Sequence, residues 1–147
     1  MQNILFVCTG NSCRSVMAEG LFKKIAGGRA GEFAVGSAGV AAVDGFPPTD
    51  ETVRAMKEEG VDVSGHRTRR LTPERIKAAD RILVMEKMHK DWILRIAPDS
   101  EKKVFLLTEF SSEGKEGIPD PIRMSDYFYK NTLATIRDCV TNLVKKI

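Results

Sequence analysis

Two of the three cysteines in this chain, Cys8 and Cys13, fall within the stretch Cys8-Thr9-Gly10-Asn11-Ser12-Cys13-Arg14-Ser15. Three chemistries could use such a cluster: a metal site, a disulfide, or a thiol nucleophile in an anion cradle. A zinc site needs further soft ligands at short spacing. The other candidates are His66, His89 and Cys139, and none is spaced for the task. No Gly-Lys-Ser/Thr follows the turn, which excludes a Walker-type nucleotide loop. The cradle fits each residue type. Backbone N–H groups curled around one point bind an anion, and Gly10 and Asn11 tolerate the left-handed backbone of such a curl. Arg14 adds a planar fork for two oxygens of a tetrahedral oxyanion. Around Cys8 these dipoles favour negative charge on sulfur. Ser15 can donate to that sulfur and steady it again when it departs. A cysteine ending a buried strand is more commonly an apolar filler. Filler, however, needs no arginine, hydroxyl and nest-forming residues beside it.

Phosphoryl transfer to a thiolate also needs an acid that protonates the leaving atom. Asp120 stands in "GIPDPI", between Pro119 and Pro121, which stiffen its loop. Taken alone, Asp-Pro is a turn. Beside a cysteine cradle it becomes the candidate acid, because its loop follows the fourth predicted strand and emerges at the same sheet edge.

Apolar runs of strand length alternate with helical patterns along the whole chain. "NILFV" (3–7) reads as a strand buried on both faces, "FAVGSAG" (33–39) as a second, "RILVM" (81–85) as a third and "KVFLL" (103–107) as a fourth. From Arg14, Met17, Leu21 and Ile25, with Ala18 and Phe22, make one helical stripe that Gly27 and Gly28 end. Asp50 to Glu59 predicts a helix with acidic residues in its first turn. Thr72 and Pro73 predict a helix start, as N-cap and first helical residue. A further helix runs through Trp92 toward Ile96. On the last one Leu133, Ile136, Val140, Leu143 and Ile147 keep core-facing spacing. This alternation predicts an α/β chain: one domain over 1–147, with a four-stranded parallel sheet, helices on both faces and an anion-binding loop after the first strand. Ligands in such sheets sit beyond the carboxyl ends of the strands, where Cys8 falls.

Composition narrows the class of function. The 147 residues are 42% hydrophobic and 29% charged, the balance of one globular domain with a real core. A formal charge of +3 favours an anionic substrate but is too small for a nucleic-acid partner. No apolar run reaches the roughly 18 residues of a membrane span, and "MQNILFVC" does not resemble a signal peptide. An odd number of cysteines in a chain of this size fits free thiols in the cytoplasm.

Together, "VCTGNSCRSVMAE" and the late "DP" resemble the low-molecular-weight protein tyrosine phosphatases, whose signature is C-x5-R-S near the N-terminus. "SAG" (37–39), "HRTRRLT" from His66 and "ADRILVME" from Ala79 follow in the family's order, so the likeness covers the chain. It implies the phosphatase I-like fold and a phosphorylated protein as substrate, hydrolysed without metal or cofactor, by a monomer. It implies Cys8 as the nucleophile that becomes a phosphocysteine, Arg14 as the phosphate clamp and Asp120 as general acid, then base. Thr9, Gly10, Asn11, Ser12, Cys13 and Ser15 would form the phosphate-binding loop, Ser15 as thiolate partner and Asn11 holding the loop's shape. Phosphotyrosine is the expected substrate. Two departures bear on it: Ile122 and Arg123 follow Asp-Pro where such enzymes carry aromatics, and Ser12 resembles the threonine of the family's protein-arginine phosphatases. Arsenate reductases share "CTGNSCRS" but need further cysteines past mid-chain, and only Cys139 is there. A non-catalytic phosphate-binding module would need neither Asp120 nor Ser15.

Several residues carry simpler expectations. Cys13 is expected either to capture an oxidised Cys8 as a disulfide or to fill space under the helix start. His66 is expected to hydrogen-bond near the cradle, and His89 to be a solvated helix residue. "HRTRR" reads as a basic solvent face, and Cys139 and Trp92 as packing.

Overall fold

Buried on both faces, Ile4 to Cys8 divide their side chains between two cores. Ile4, Phe6 and Cys8 join one apolar cluster, while Leu5 and Val7 join another. That division follows from the two-residue period of a strand, and it makes this segment the central spine of a sheet. The computed structural model describes residues 1–147, in which four strands pair in parallel in the order β2-β1-β3-β4. They are β1 (Gln2–Cys8), β2 (Phe33–Gly39), β3 (Arg81–Val84) and β4 (Val104–Leu106). Five helices surround them: α1 (Arg14–Ala26), α2 (Asp50–Glu58), α3 (Pro73–Ala78), α4 (Lys87–Ile96) and α5 (Asp126–Lys146).

The larger cluster lies between one sheet face and α1, α2 and α5, with Met17, Leu21, Phe22, Met56, Leu133, Ile136 and Val140 in it. The smaller one joins Val7, Ile82 and Val84 to Ile76 of α3 and Ile93 of α4. Helices therefore cover both faces, as the strand–helix alternation predicts. Within α5 the buried residues recur every three or four positions, whereas α1 is buried all round over Arg14–Ala18 and then shows one apolar face at Leu21, Phe22 and Ala26. Cys139 is fully enclosed, and Trp92 packs against the smaller cluster. The predicted cap of α3 forms: Thr72 Oγ1 accepts from the Arg75 N–H at 3.2 Å, and Thr49 Oγ1, which the sequence reading did not single out, accepts likewise from the Thr52 N–H at 3.2 Å ahead of α2.

Strand ends differ from the sequence reading by a residue or two: β1 is longer, and β3 and β4 shorter. Three short 3₁₀ segments, Gly27–Glu32, Pro98–Lys103 and Leu107–Phe110, have no counterpart in the apolar pattern. Such turns are too brief to leave a periodic signal.

Two consequences of the topology position the site. First, β1 has β2 on one side and β3 on the other, and the chain leaves β1 toward β2 but crosses back to β3. That reversal of strand order opens a crevice beyond the end of β1. Second, the parallel register sets Cys8 opposite Gly39 and Val7 opposite Val84. Three segments of distant sequence thus end together.

Phe22 anchors this arrangement, with ring centroids 5.9 Å from Phe6 and 5.0 Å from Phe33. Phe22→Ala should lower unfolding free energy by about 3–5 kcal/mol, the cost of an emptied aromatic site. Urea denaturation should show the midpoint falling with an unchanged slope.

Candidate active site

Residues 9–13 curl between the end of β1 and the start of α1, so the helix N-terminus faces the space they enclose. Cys13 is the N-cap, and its carbonyl accepts the Met17 N–H at 2.9 Å. Asn11 adopts φ 55, the left-handed conformation expected of it, and is fully buried. Its hydrogen bonds explain why this residue stands here. The Arg69 N–H donates to Asn11 Oδ1 at 3.0 Å, which fixes the amide orientation. Asn11 Nδ2 therefore donates to Ser15 Oγ at 2.8 Å. With that oxygen already accepting, the Ser15 hydroxyl proton is directed to Cys8 Sγ, 2.9 Å away. The Asn11 N–H donates to the same sulfur at 3.3 Å. Two donors converge on Cys8, as the residue types imply.

Behind the loop, His66 Nε2 donates to the Asn11 carbonyl at 3.0 Å, matching the role expected of His66. Arg67, Arg69 and Arg70 are solvent-facing, whereas Thr68 between them is buried. Gly39 explains the "SAG" segment. A Cβ there would lie 2.5 Å from the Thr9 carbonyl oxygen and 2.8 Å from the Asn11 nitrogen. Only glycine lets β2 run this close to the loop.

Arg14 is the largest fully buried side chain, at 2% exposure, and its charge is met by several partners. Nη1 donates to Glu86 Oε1 and to the Ile118 carbonyl at 2.8 Å. Nη2 lies 3.4 Å from Thr9 Oγ1 and 3.6 Å from Asp120 Oδ2. The Asp-Pro loop thus reaches the cradle, as its position after β4 predicts. The Ile122 N–H donates to Asp120 Oδ1 at 3.0 Å and steadies the carboxylate. Beside Asp120 a cavity of about 240 Å³ is lined by Ile118, Met124 and Phe128. A larger open groove, about 800 Å³, runs between α1 and the segment after α2 and touches the back of the loop at His66.

Three features escaped the sequence reading. Glu86, the direct partner of Arg14, is one carboxylate among many on a charged stretch, and only the pairing of β3 with β1 brings it near. Tyr127 and Phe128, at the start of α5, are exposed and pack edge to face at 5.8 Å. Phe128 also lines the cavity beside Asp120, so aromatic surface lies near the Asp-Pro loop although Ile122 supplies none. Finally, His89 is not a solvated helix residue. It is completely buried, with Nε2 2.9 Å from Thr9 Oγ1. Burial, joined by the Arg14 charge, lowers its pKa to about 4. Its proximity to the loop is a tertiary fact that local periodicity does not encode.

All three thiols are free and buried. Burial pushes Cys13 up to about 12, despite a hydrogen bond with Thr52, with negative charge at Cys8 and Asp120 adding to the rise. Burial likewise raises Cys139 to about 11.

A buried sulfur with two donors, and an arginine of the same loop held close to a carboxylate, are the parts that a thiol-dependent phosphoryl transfer uses. Residues 3–147 match the family described as low molecular weight phosphotyrosine protein phosphatase, and the chain belongs to that family. The chain is similar to the low molecular weight protein-tyrosine-phosphatase Ptp of Acinetobacter johnsonii, at 35% identity over 99% of this chain and 98% of that one. It is equally similar to the protein-arginine-phosphatase of Bacillus subtilis, at 36% identity over 99% and 96%. Among solved structures, the low molecular weight protein tyrosine phosphatase from T. tengcongensis superposes with TM-score 0.92 and 38% identity, covering 100% of both chains. The YwlE arginine phosphatase from Geobacillus stearothermophilus does so with TM-score 0.90 and 33% identity, over 99% and 92%.

Gly39→Ala should destabilise the protein by about 1–3 kcal/mol through overpacking. It should also weaken inorganic phosphate binding about tenfold or more, the effect of losing roughly 1.4 kcal/mol at the loop. Calorimetric titration reads the second effect directly. Because burial holds Cys13 and Cys139 as neutral thiols up to pH values near 12 and 11, iodoacetamide at about pH 8 should leave both unmodified in the native protein. Mass spectrometry should find both labelled after denaturation.

Proposed function

We propose that this phosphatase hydrolyses phosphotyrosine in proteins through a phosphocysteine at Cys8. The observation that carries the reading is the directed pair of donors on Cys8 Sγ, from Ser15 and Asn11, in a loop that Arg14 closes. Sulfur attacks phosphorus, the bond from phosphorus to the leaving oxygen breaks, and Asp120 delivers its proton to that oxygen. Water then attacks the phosphocysteine, Asp120 takes the water's proton, and the S–P bond breaks to free phosphate. The Ser15 hydroxyl steadies sulfur as it leaves, and Arg14 with the N–H groups of residues 9–13 meets the charge on the phosphoryl oxygens. Tyr127 and Phe128 supply aromatic surface for an aryl group. The relatives named for tyrosine phosphatase activity support this choice. The reading includes a monomeric, cytoplasmic enzyme: the thiols are free, and no helix is long and apolar enough to cross a membrane.

One observation favours a second substrate. Ser12 is small, polar and half-buried in the loop, and relatives of equal similarity are named protein-arginine-phosphatases. Phosphoarginine hydrolysis would use the same machinery, with Asp120 protonating nitrogen. Side-by-side kcat/KM values on phosphotyrosine and phosphoarginine peptides decide between them. Ser12→Ile should reduce phosphoarginine turnover selectively if Ser12 contributes to that choice, and equal rates exclude a role for it.

Cys8→Ser should abolish aryl phosphate turnover yet retain phosphate binding. Asp120→Asn should slow formation of the phosphocysteine about 10²–10⁴-fold in stopped-flow measurement, the weight of a general acid. Release of phosphate by Cys8→Ser at the wild-type rate would overturn the mechanism.

Cys13 extends the same chemistry to redox control. Peroxide would convert Cys8 to a sulfenic acid, and the Cys13 thiol would displace its oxygen as water to form a Cys8–Cys13 disulfide. The electrostatic influence of Cys8 on Cys13 supports their closeness. After peroxide and then dithiothreitol, wild type should recover activity and Cys13→Ser should recover poorly. Equal recovery leaves Cys13 as packing.

A further inference from the structure

His89 contacts the phosphate-binding loop but has no part in the mechanism above. Its hydrogen bonds settle where its protons are. The backbone N–H of Glu86 donates to His89 Nδ1 at 3.0 Å. An N–H can only donate, so Nδ1 carries a bare lone pair. The neutral ring then bears its proton on Nε2, which lies 2.9 Å from Thr9 Oγ1 and donates to it. Burial and the neighbouring Arg14 charge keep the ring neutral down to about pH 4, against the opposing charges of Glu86 and Asp120. Protonation would set an N–H on Nδ1 against the N–H of Glu86.

Thr9 Oγ1 has a second donor in Arg14 Nη2, at 3.4 Å. A hydroxyl oxygen has two lone pairs and one proton. Both lone pairs are directed inward, so the proton is what Thr9 has left to offer. Its backbone is held as well, because the Thr9 carbonyl accepts the Ala41 N–H at 2.9 Å. Half-buried, Thr9 shares with Asp120 Oδ2 the same Arg14 nitrogen, which places its hydroxyl beside the general acid at the cradle's edge.

We propose that Thr9 Oγ–H is a substrate-contacting donor to a phosphoryl oxygen, and that His89 is the positioning residue that commits the hydroxyl to that role. The proposal rests on the reading of residues 8–15 as the catalytic loop. By reserving both Thr9 lone pairs for His89 and Arg14, the fold prevents the hydroxyl from turning inward as a donor. The bond it makes outward strengthens as charge builds on the equatorial oxygens in the transition state, so it acts on kcat more than on KM.

Four variants test this: Thr9→Val, Thr9→Ser, His89→Leu and His89→Gln, with p-nitrophenyl phosphate as substrate. Thr9→Val is isosteric and should lower kcat by roughly 10- to 100-fold with KM within about twofold, the weight of one hydrogen bond to a charged group. Thr9→Ser should recover most of that loss. His89→Leu should lower kcat similarly, yet add little in a Thr9→Val background, because its effect passes through that hydroxyl. His89→Gln carries both a donor and an acceptor, and should retain more activity than His89→Leu. Nitrogen-15 NMR of the wild-type ring should show protonated Nε2 and bare Nδ1 from about pH 5.5 to 8. A Thr9→Val enzyme with wild-type kcat, multiplicative losses in the double variant, or the opposite tautomer overturns the proposal. If His89→Leu does not fold, Thr9→Val and the ring spectrum still decide it. Undiminished turnover by Cys8→Ser would instead sink the catalytic reading beneath it.

Discussion

The arrangement of donors around Cys8 depends on one residue held in a backbone conformation that most side chains avoid. Asn11 sits at φ 55 with no exposed surface, and each of its polar groups has a partner. Its carbonyl meets His66, its side-chain oxygen meets the Arg69 backbone, its amide nitrogen meets Ser15, and its own N–H meets Cys8. The αL conformation has a small energetic cost for a residue with a Cβ, and these bonds over-determine it. Because the side-chain amide is oriented from outside the loop, the Ser15 proton points one way only. The surroundings of the Cys8 sulfur are therefore set by Arg69, which lies 58 residues from Asn11 in the chain.

Arg14 poses the complementary problem. A guanidinium at 2% exposure loses nearly all its hydration, which is expensive unless the charge is paired and its donors are satisfied. Glu86 supplies the countercharge and Ile118 a carbonyl, one from the end of β3 and the other from the Asp120 loop. The same partners fix the guanidinium in one position, so its side chain has little rotamer freedom left. Neighbouring His89 stays neutral because this positive charge and burial act in the same direction. Structure and electrostatics are here one network: the loop, the β3 end and the acid loop each place one member.

Much of this was readable in the residues. The apolar runs at 3–7 and 81–85 hold strands because sheet segments buried on both faces demand uninterrupted hydrophobicity, and Thr72-Pro73 starts a helix because both residues suit that position and few others. Cys8, Arg14 and Ser15 declare themselves by type and spacing within one short loop. That the Asp120 loop reaches the cradle follows from its place after the fourth strand, because the loops at one end of a parallel sheet share an edge. His89 and Glu86 were not readable. Both lie in "MEKMHK", a charged stretch whose pattern suits a solvated helix, and neither touches the loop through local sequence.

What the sequence determined by itself is local: which segments are strands and helices, and which loop can bind an anion around a thiol. Those properties follow from side-chain periodicity and backbone preference over a few residues. Only the tertiary structure decided which charges and hydroxyls face that loop. Parallel register set Gly39 against Thr9 and Asn11, brought Glu86 to Arg14, and buried His89 against Thr9. Such contacts join residues some 30 to 80 positions apart, and strand pairing, which no local window of sequence contains, is what closes that distance.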